Sequence, residues 1–351
     1  MDDRTRFELG ADRPLLSRPE LGLDEHHDEQ RAADHDEPVI GVHLGRQCAK
    51  SLAACEQAHS PARFIFAITA NVPSPPRIPQ YPSWAVTEAW PPGEAELAAA
   101  QVRLAGAARS APPWELAPVD VGMIAGGCFL AFGRGPGGPG AAGDRGWAAA
   151  VSWPTPQVTP GEEKSRRADS ALKGSGPGLP RLASDVAEQS VVAGTAPASY
   201  KPGFLALREG PLLAEAVCSL ARLPEVLLVD ATGHDHPRGA GLAVHLGAIL
   251  NLPTVGVTHR PLLAYGERPM LERGSTSPLS IQGSVVAYWV CTRTSARPVV
   301  AHAGWRTSPE TAAALVLACS SEAARTPIPL VEARRAAREA RAVAEGRVNP
   351  G

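Results

Sequence analysis

Several features that define other classes of protein are missing from this chain of 351 residues. It has no run of about 18 apolar residues, which a transmembrane helix would need. Its charged start, Met1-Asp2-Asp3-Arg4, differs from a secretory signal. Its six cysteines form no CxxC pair, so we expect buried thiols in a reducing cytosol rather than a zinc site. The sequence therefore predicts a cytoplasmic protein without a membrane anchor.

Glycine and proline are abundant instead. The 34 glycines and 35 prolines predict long irregular stretches, while the 44% of hydrophobic residues is enough for a sizeable core. The formal net charge of −2 hides an asymmetry, because residues 1–38 carry 12 acidic and five basic side chains. The rest of the chain is therefore mildly basic, which permits contact with nucleic acid but does not indicate it.

The composition also divides the chain into two parts. Residues 1–38 show no amphipathic period and residues 72–92 are rich in proline, so we interpret residues 1–92 as a largely disordered extension. Its histidines His26, His27 and His35 are interpreted as solvated side chains rather than metal ligands. Residues 93–351 are predicted to form one domain. Within it, residues 154–186 are predicted to be an insertion or long loop.

The domain begins with a predicted helix and three predicted strands. Helical spacing of apolar residues predicts a helix at Glu94–Ser110. The apolar runs 119–124 and 128–132 are split by Ala125-Gly126-Gly127, which predicts a hairpin. Residues 147–153 are predicted to form the third strand.

From residue 204 onward, helical and strand patterns alternate. The predicted helices are 209–223, 239–250, 308–320 and 330–345, and the predicted strands are 225–230, 254–257, 284–291 and 298–302. A meander followed by this alternation predicts an α/β domain, with a mixed sheet covered by helices on both faces.

Three carboxylates lie where such a sheet would bring them together. Asp120 is in the first predicted strand, Glu209 begins a predicted helix, and Asp230 ends a buried strand. Strand ends of this kind face the functional crevice of open α/β sheets, and Mg²⁺ prefers carboxylate oxygens. Each acid alone also has an ordinary structural interpretation, Glu209 as a charge at a helix start and Asp230 as a loop cap.

Two short segments could contact nucleic acid. Tyr200 stands beside Pro202 and Gly203, and rigid apolar groups of this kind can wedge between bases; Tyr200 could equally be an ordinary loop aromatic. His236 and Arg238 lie where a loop enters a helix, so the arginine and the helix N-terminus could hold a phosphate.

Taken together, these segments resemble a known family. Residues 200–209, YKPGFLALRE, resemble the wedge-and-glutamate motif of the endonuclease V family. Residues 228–233, followed by 236–238 and 241–247, resemble its second aspartate motif and the next helix. Residues 253–257 resemble its next strand, and residues 119–122 its first aspartate strand. The resemblance extends over residues 93–345, interrupted by the insertion.

The resemblance implies an RNase H-like fold and a Mg²⁺-dependent endonuclease, with Mn²⁺ as a substitute. The family cleaves the second phosphodiester on the 3′ side of deoxyinosine in DNA, leaving 3′-hydroxyl and 5′-phosphate ends. By motif, Asp120, Glu209 and Asp230 would be the acidic groups at the metals. Tyr200 and Pro202 would form the wedge that separates the strands. Backbone around Gly203 and Gly233 would line the base pocket, where a missing side chain allows close approach.

The sequence also departs from the family. Gly304-Trp305-Arg306 stands where the family usually has Gly-His-Arg, and Thr258-His259 stands where it usually has Ala-Lys. Ala231 replaces a usual glycine. We count His259 as a candidate catalytic residue and expect Trp305 to weaken catalysis, since an indole cannot accept a proton; His302, three residues earlier, is too far along the strand to be counted on.

The sequence is compatible with three hypotheses. The first is a DNA repair endonuclease, which the three retained acids favour. The second is a catalytically weakened protein that binds inosine lesions in DNA or RNA, which Trp305 and His259 favour. The third is a nuclease directed at inosine in RNA. In each case we expect a monomer that does not bind membranes.

Overall fold

The computed structural model describes residues 90–116, 123–134, 138–155 and 188–347. Within these ranges the chain forms five helices and eight strands. The helices are α1 (Glu94–Ser110), α2 (Leu205–Cys218), α3 (Leu242–Leu250), α4 (Pro309–Ala318) and α5 (Ile328–Ala344). The strands are β1 (Ile124–Phe132), β2 (Arg145–Pro154), β3 (Glu188–Thr195), β4 (Val226–Val229), β5 (Thr254–Thr258), β6 (Thr276–Ile281), β7 (Ser284–Val290) and β8 (Val299–Ala303).

These strands form one mixed sheet in the order β3-β2-β1-β4-β5-β8-β7-β6. Strands β1, β2 and β3 form an antiparallel meander. Strands β1, β4 and β5 run parallel, with Cys128 of β1 opposite Val229 of β4. Strands β8, β7 and β6 close the other side in antiparallel fashion.

Helices cover both faces of this sheet, because successive side chains of a strand point to opposite sides. Leu227 and Val229 of β4 pack in a core with residues of α1, α2 and α3. Val226 and Leu228 pack in a second core with residues of α4 and α5. Complete burial of one such side chain contributes about 1.5–3 kcal/mol. The predicted α/β architecture is therefore confirmed, and it sets the end of β4 between two helical layers.

The predicted hairpin at Ala125-Gly126-Gly127 is wrong, since β1 is one continuous strand through these residues. The glycines serve packing instead. A Cβ atom on Gly126 would lie 2.5 Å from the Pro224 side chain, and one on Gly127 would lie 2.4 Å from the Pro329 backbone. Glycine here lets the loop before β4 and the start of α5 approach the sheet closely.

Helix α2 also begins earlier than predicted. It starts at Leu205, so Glu209 lies within the helix rather than at its start. Pro211 is normally accommodated only in the first helical turn, which favours a start near residue 209. In the structure Pro211 lies in the helix interior. Glu209 is therefore placed by a helix that begins directly after Pro202 and Gly203.

Two strands were not predicted at all, β3 and β6, which are the edges of the sheet. Most of their residues are exposed or partly exposed and few are large and apolar, so these strands lack the apolar run that marks the central strands. The other predicted elements are present with ends shifted by a few residues. Ser308 caps α4 as expected, since its hydroxyl accepts from the Thr311 N–H at 3.1 Å.

Several predictions fall on residues outside the described ranges. They are the extension up to residue 89, the insertion apart from residues 154 and 155, and Asp120. Trp90, which falls in the predicted extension, packs on the domain: its ring stacks on that of His245 with centroids 5.1 Å apart. None of the described helices is long and apolar enough to cross a membrane. The described cysteines are free thiols, three of them buried.

Candidate active site

Glu209 and Asp230 come together at the end of β4. Asp230 directly follows that strand, and Glu209 reaches the same place from α2. Burial and then the charge of Asp230 raise the pKa of Glu209 to about 8, although Arg208 opposes this shift. Burial, followed by the charges of Asp230 and Glu209, also raises the pKa of the Cys128 thiol on β1. The two carboxyl groups therefore share one region, next to the middle of the sheet.

The third predicted metal ligand, Asp120, lies outside the described residues. Among the described residues, no group of three His, Cys, Asp or Glu side chains is arranged to hold a metal ion. The chemistry of the two described acids nevertheless fits a hard divalent cation. They supply oxygen ligands, and the repulsion that raises the pKa of Glu209 is what a cation between them would relieve.

Arg334 of α5 is a neighbour of Asp230 that sequence reasoning missed. Its Nη2 donates to Oδ2 of Asp230 at 3.1 Å, and its guanidinium lies 5.2 Å from the centre of the Phe129 ring. Its buried Nε makes no hydrogen bond within the described part of the chain. In the sequence Arg334 is one of several arginines on a basic helix, so only its position in the fold distinguishes it.

His259 follows β5 and lies near the same carboxylate. Burial and the charge of Arg325 lower the pKa of its imidazole to about 4, with Asp230 opposing and Arg334 contributing to the shift. The ring is therefore neutral near pH 7. Its Nδ1 is buried, with no hydrogen-bond partner among the described residues. The structure thus brings His259 into the electrostatic range of Asp230.

His302 has a different environment. It is fully buried in β8, where its Nε2 lies 2.7 Å from the Thr258 hydroxyl and its Nδ1 lies 3.7 Å from Oδ2 of Asp235. The Thr258 hydroxyl donates to the Arg260 carbonyl, so it accepts from Nε2–H of the histidine. Burial lowers the pKa of His302 to about 4, against the charge of Asp235. His302 thus supports the end of β5, which carries His259.

Asp235 is another residue that sequence reasoning missed. Its side chain is completely buried and accepts hydrogen bonds from three successive backbone N–H groups, at 2.6–2.8 Å. The donors are Leu262, Leu263 and Ala264. Asp235 therefore fastens the loop that follows His259 to the loop that follows Asp230.

The carbonyl oxygen of Gly203 is held by three side chains. Arg238 Nη2 donates to it at 2.5 Å, Gln101 Nε2 at 3.3 Å and His236 Nε2 at 3.2 Å. The His236 Nδ1 accepts from the Arg238 N–H, which fixes the tautomer that donates from Nε2. Gly203 itself has a φ of +76°, a conformation that favours glycine.

His236 and Arg238 therefore position the segment that carries Tyr200 and Pro202. The Arg238 guanidinium also stacks over Phe204, with its central carbon 4.4 Å from the centre of the ring. Its Nε donates to the side-chain oxygen of Gln101 at 2.6 Å. Much of the guanidinium predicted to hold phosphate is thus engaged within the protein. Burial and then Arg238 lower the pKa of His236 to about 4, so it is neutral near pH 7.

A groove of about 360 Å³ runs beside this segment. Its lining includes Tyr200, Lys201 and Phe204 together with residues 92–94. Gly233, which is expected to line a base pocket, also packs closely on a neighbouring strand. A Cβ atom there would lie 1.9 Å from the Ala303 carbonyl oxygen, so glycine allows this loop to pack on β8.

Trp305 is a core side chain. Its side chain is 1% exposed and packs with Leu104 and Ala105 of α1 and with Val244 and Ala248 of α3. This gives Trp305 a packing role, and the expectation that it weakens catalysis stays a prediction. The indole fills the space between two helices and the end of β8, as a core side chain does.

The site lies largely in a segment with known relatives. The sequence model of the Endonuclease V family matches residues 179–335. Endonuclease V of Methanopyrus kandleri is 45% identical over 128 residues, which are 36% of this chain and 55% of that protein. Endonuclease V of a Roseiflexus species is 41% identical over 120 residues, 34% of this chain and 54% of that protein. The chain thus spans about half the length of these relatives.

Solved structures extend the similarity to the fold. Endonuclease V of Streptomyces avermitilis has a TM-score of 0.56 at 28% identity, and the match covers 74% of this chain and 96% of that one. The catalytic domain of human Endonuclease V has a TM-score of 0.53 at 25% identity, covering 73% of this chain and 100% of the other. The sequence of residues 179–335 and the fold of the described residues are thus similar to those of the endonuclease V family.

Proposed function

We propose that this chain is a metal-dependent endonuclease that recognises deoxyinosine in DNA and cleaves the second phosphodiester bond on its 3′ side. One observation carries the proposal. Glu209 and Asp230 lie close enough for the charge of one to raise the pKa of the other, within the segment that matches the family. Because like charges rarely share a partly buried place without a counterion, this pair is suited to a cation.

Glu209, Asp230 and the predicted ligand Asp120 would hold Mg²⁺, or Mn²⁺ in its place. When bound there, the ion stabilises negative charge on the attacking and leaving oxygens of the phosphodiester. His259 is neutral near pH 7 and lies near Asp230, so it is suited to orient or deprotonate the attacking water. Its buried Nδ1 has the free capacity for this role within the described residues.

Tyr200 and Pro202 would form the wedge at the lesion. The three side chains that donate to the Gly203 carbonyl hold the backbone next to Pro202 in place. A wedge needs a rigid backbone of this kind. The adjoining groove between residues 92–94 and Tyr200 offers about 360 Å³ beside the wedge. We place the contacts to the displaced base there, and we assign His236 and Arg238 to support of the wedge as well as to contact with DNA.

The direct test is a cleavage assay on end-labelled strands. Inosine-containing single-stranded DNA, duplex DNA and RNA are incubated with the purified chain and Mg²⁺, Mn²⁺ or EDTA. We expect one product that ends one nucleotide beyond the inosine on its 3′ side, formed only with metal. Cleavage at adenine controls, or equal cleavage in EDTA, would contradict the proposal. Preference for the RNA strand would move the substrate to inosine in RNA.

Two variants tie the activity to the site. Asp230→Asn and Glu209→Gln should each slow nicking by about 100-fold or more, because ligand charge of this kind contributes several kcal/mol and about 1.4 kcal/mol is tenfold in rate. Glu339→Gln is the matched control, since Glu339 is exposed on α5 and pairs only with Arg335 among the pairs described. Unchanged nicking in Asp230→Asn would refute the assignment.

One observation favours the second function, a protein that binds inosine lesions but cleaves them weakly. The guanidinium of Arg334 already neutralises part of the charge on Asp230. Under this function the chain would bind inosine duplexes in EDTA more tightly than adenine duplexes, and would not nick them in any metal. The same labelled duplexes distinguish the two functions.

A monomeric state and a cytoplasmic location are further parts of the proposal, to be checked by light scattering and by cell fractionation.

A further inference from the structure

Asp230 is approached from both faces of the sheet. Helix α2, which carries Glu209, packs on the face formed by Leu227 and Val229. Helix α5, which carries Arg334, packs on the opposite face with Val226 and Leu228. Asp230 follows the last residue of this strand, so it meets a carboxyl group from one layer and a guanidinium from the other.

The guanidinium is held firmly in this position. The side chain of Arg334 is 21% exposed, its Nη2 donates to Asp230 Oδ2 at 3.1 Å, and its charge lies over the ring of Phe129. The nearby cation Arg208 is engaged elsewhere, because its guanidinium donates to Asp144 and to two backbone carbonyls. Arg334, unlike Arg208, therefore forms its described ion pair with a candidate metal ligand, Asp230.

We propose that Arg334 competes with the divalent cation for Asp230 and so lowers the affinity of the site for metal. This inference rests on the proposed function, because it takes Asp230 to be a metal ligand. A divalent ion held by Asp230 and the guanidinium of Arg334 would repel each other, because both are positive and would contact the same carboxylate. The repulsion, or the loss of the ion pair between Nη2 of Arg334 and Oδ2 of Asp230, would therefore weaken binding of the ion.

The same contact has an opposite interpretation. Arg334 could hold Asp230 in the orientation that a metal ion needs, which would make the arginine a positioning residue and strengthen metal binding. The two interpretations differ in sign. Removal of the positive charge should tighten metal binding under competition and weaken it under positioning.

The test measures binding of Mn²⁺ to the full chain by the electron paramagnetic resonance signal of the free ion, at one pH and low salt. Neutral variants Arg334→Gln and Arg334→Met should bind Mn²⁺ about tenfold more tightly than the wild type, and Arg334→Lys should resemble the wild type because it keeps the charge. Addition of Asp230→Asn to Arg334→Gln should abolish the gain. One neutral variant that folds is enough for the test, and a cooperative thermal transition shows which of the two is folded.

Arg335→Gln is the matched control. It removes the same charge from the neighbouring position of α5, where Arg335 is exposed and pairs with Glu332 and Glu339, so its Mn²⁺ affinity should stay at the wild-type value. Equal tightening in Arg335→Gln would reduce the effect to general charge and overturn the inference. So would an unchanged or weaker affinity in the neutral Arg334 variants, or an absence of Mn²⁺ binding in every variant.

Nicking measured on the same preparations separates this inference from the proposed function. Tighter Mn²⁺ binding without any nicking would support competition by Arg334 and contradict the endonuclease. Metal-dependent nicking by the wild type, with no change of Mn²⁺ affinity in the neutral variants, would contradict the competition and leave the endonuclease standing.

Discussion

Arg208 and Asp144 form an ion pair in which the arginine Nη2 lies 2.6 Å from the aspartate Oδ2. The arginine side chain is 2% exposed and donates from Nη1 to the carbonyl oxygens of Ala141 and Ala198. One buried guanidinium thus joins the loop between β1 and β2 to the segment before Tyr200. Because Arg208 precedes Glu209 in α2, the network also fixes the helix that carries the candidate catalytic acid.

The first prediction concerns this network. We expect Asp144→Asn to lower the free energy of unfolding by about 1–3 kcal/mol, because it leaves a buried guanidinium without its charged partner. Urea denaturation measures the change. Glu332→Gln serves as the control, since it removes an acid from a pair with the exposed Arg335 and should cost less than about 1 kcal/mol. An equal loss of unfolding free energy in both variants would show that the buried pair contributes no more to stability than the exposed pair.

The second prediction concerns Trp305. We expect Trp305→Ala to cost about 3–5 kcal/mol of stability, since it empties space in a packed cluster. Trp305→His should also destabilise, because a polar ring would replace the indole among apolar side chains. If packing is the whole role of Trp305, Trp305→His should not accelerate nicking. Thermal melting and single-turnover rates give the two measurements.

The matched control for Trp305 is Val102→Ala, which truncates an exposed side chain on α1. Its stability should stay within about 0.5 kcal/mol of the wild type. Faster nicking by Trp305→His than by the wild type would return this position to the catalytic site.

The third prediction concerns pH and Glu209. In the metal-free protein the pKa of Glu209 is about 8, against an ordinary value of 4.5. Between these values the folded state keeps a proton that the unfolded state releases. The stability that this proton contributes is fully present below about pH 4.5 and is lost as the pH rises through 8.

Glu209→Gln removes this dependence, because a glutamine does not titrate. Melting temperatures in EDTA from pH 5.5 to 8.5 should therefore fall more steeply for the wild type than for Glu209→Gln. Glu339→Gln, at an exposed position of α5, should keep the wild-type slope. Parallel curves for the wild type and Glu209→Gln would mean that Glu209 is ionised throughout this range.

The fourth prediction concerns Tyr200. Tyr200→Ala should weaken binding to inosine duplexes more than binding to matched duplexes. Stacking on a displaced base contributes roughly 1–3 kcal/mol, whereas basic side chains that contact the DNA backbone bind both duplexes alike. Binding is measured with Ca²⁺ in place of Mg²⁺. Tyr265→Ala is the control, because Tyr265 is a tyrosine 68% exposed in another loop. Equal losses on both duplexes would count against a wedge.

The fifth prediction concerns the start of the folded domain. Trp90 stacks on His245 and lies against Gly210, so a chain that begins at residue 90 should melt at the full-length temperature. A chain that begins at residue 93 loses these contacts and should be less stable by about 1.5–3 kcal/mol, the range for burying a large apolar side chain, since Trp90 is larger but only partly buried. If the chain from residue 90 also melts much lower, residues 1–89 stabilise the domain.

Regular patterns predicted much of the fold. The buried strand 225–230 and the helix Glu94–Ser110 are visible because burial selects apolar residues at a fixed period. The hairpin predicted in the first strand is wrong, because two adjacent glycines are typical both of a turn and of a strand that another element approaches closely. Only Pro224 and Pro329, distant in sequence, decide between the two.

The candidate site divides in the same way. Asp230 and Glu209 could be selected from the sequence, because an acid that follows an apolar strand and an acid within a long motif are local features. The positions of Arg334, Asp235 and Trp305 could not. Each is defined by what lies against it, and those partners are brought together by sheet order and by helix packing.

The sequence by itself determined the layered α/β architecture and two of the acids around which the site is built, since periodicity and local motifs encode them directly. Tertiary structure alone decided the electrostatics of that site. The pKa of Glu209 depends on Asp230 across two elements, and Asp230 meets Arg334 from a helix more than 100 residues later. Charges interact through distance and burial, and neither quantity exists until the chain has folded.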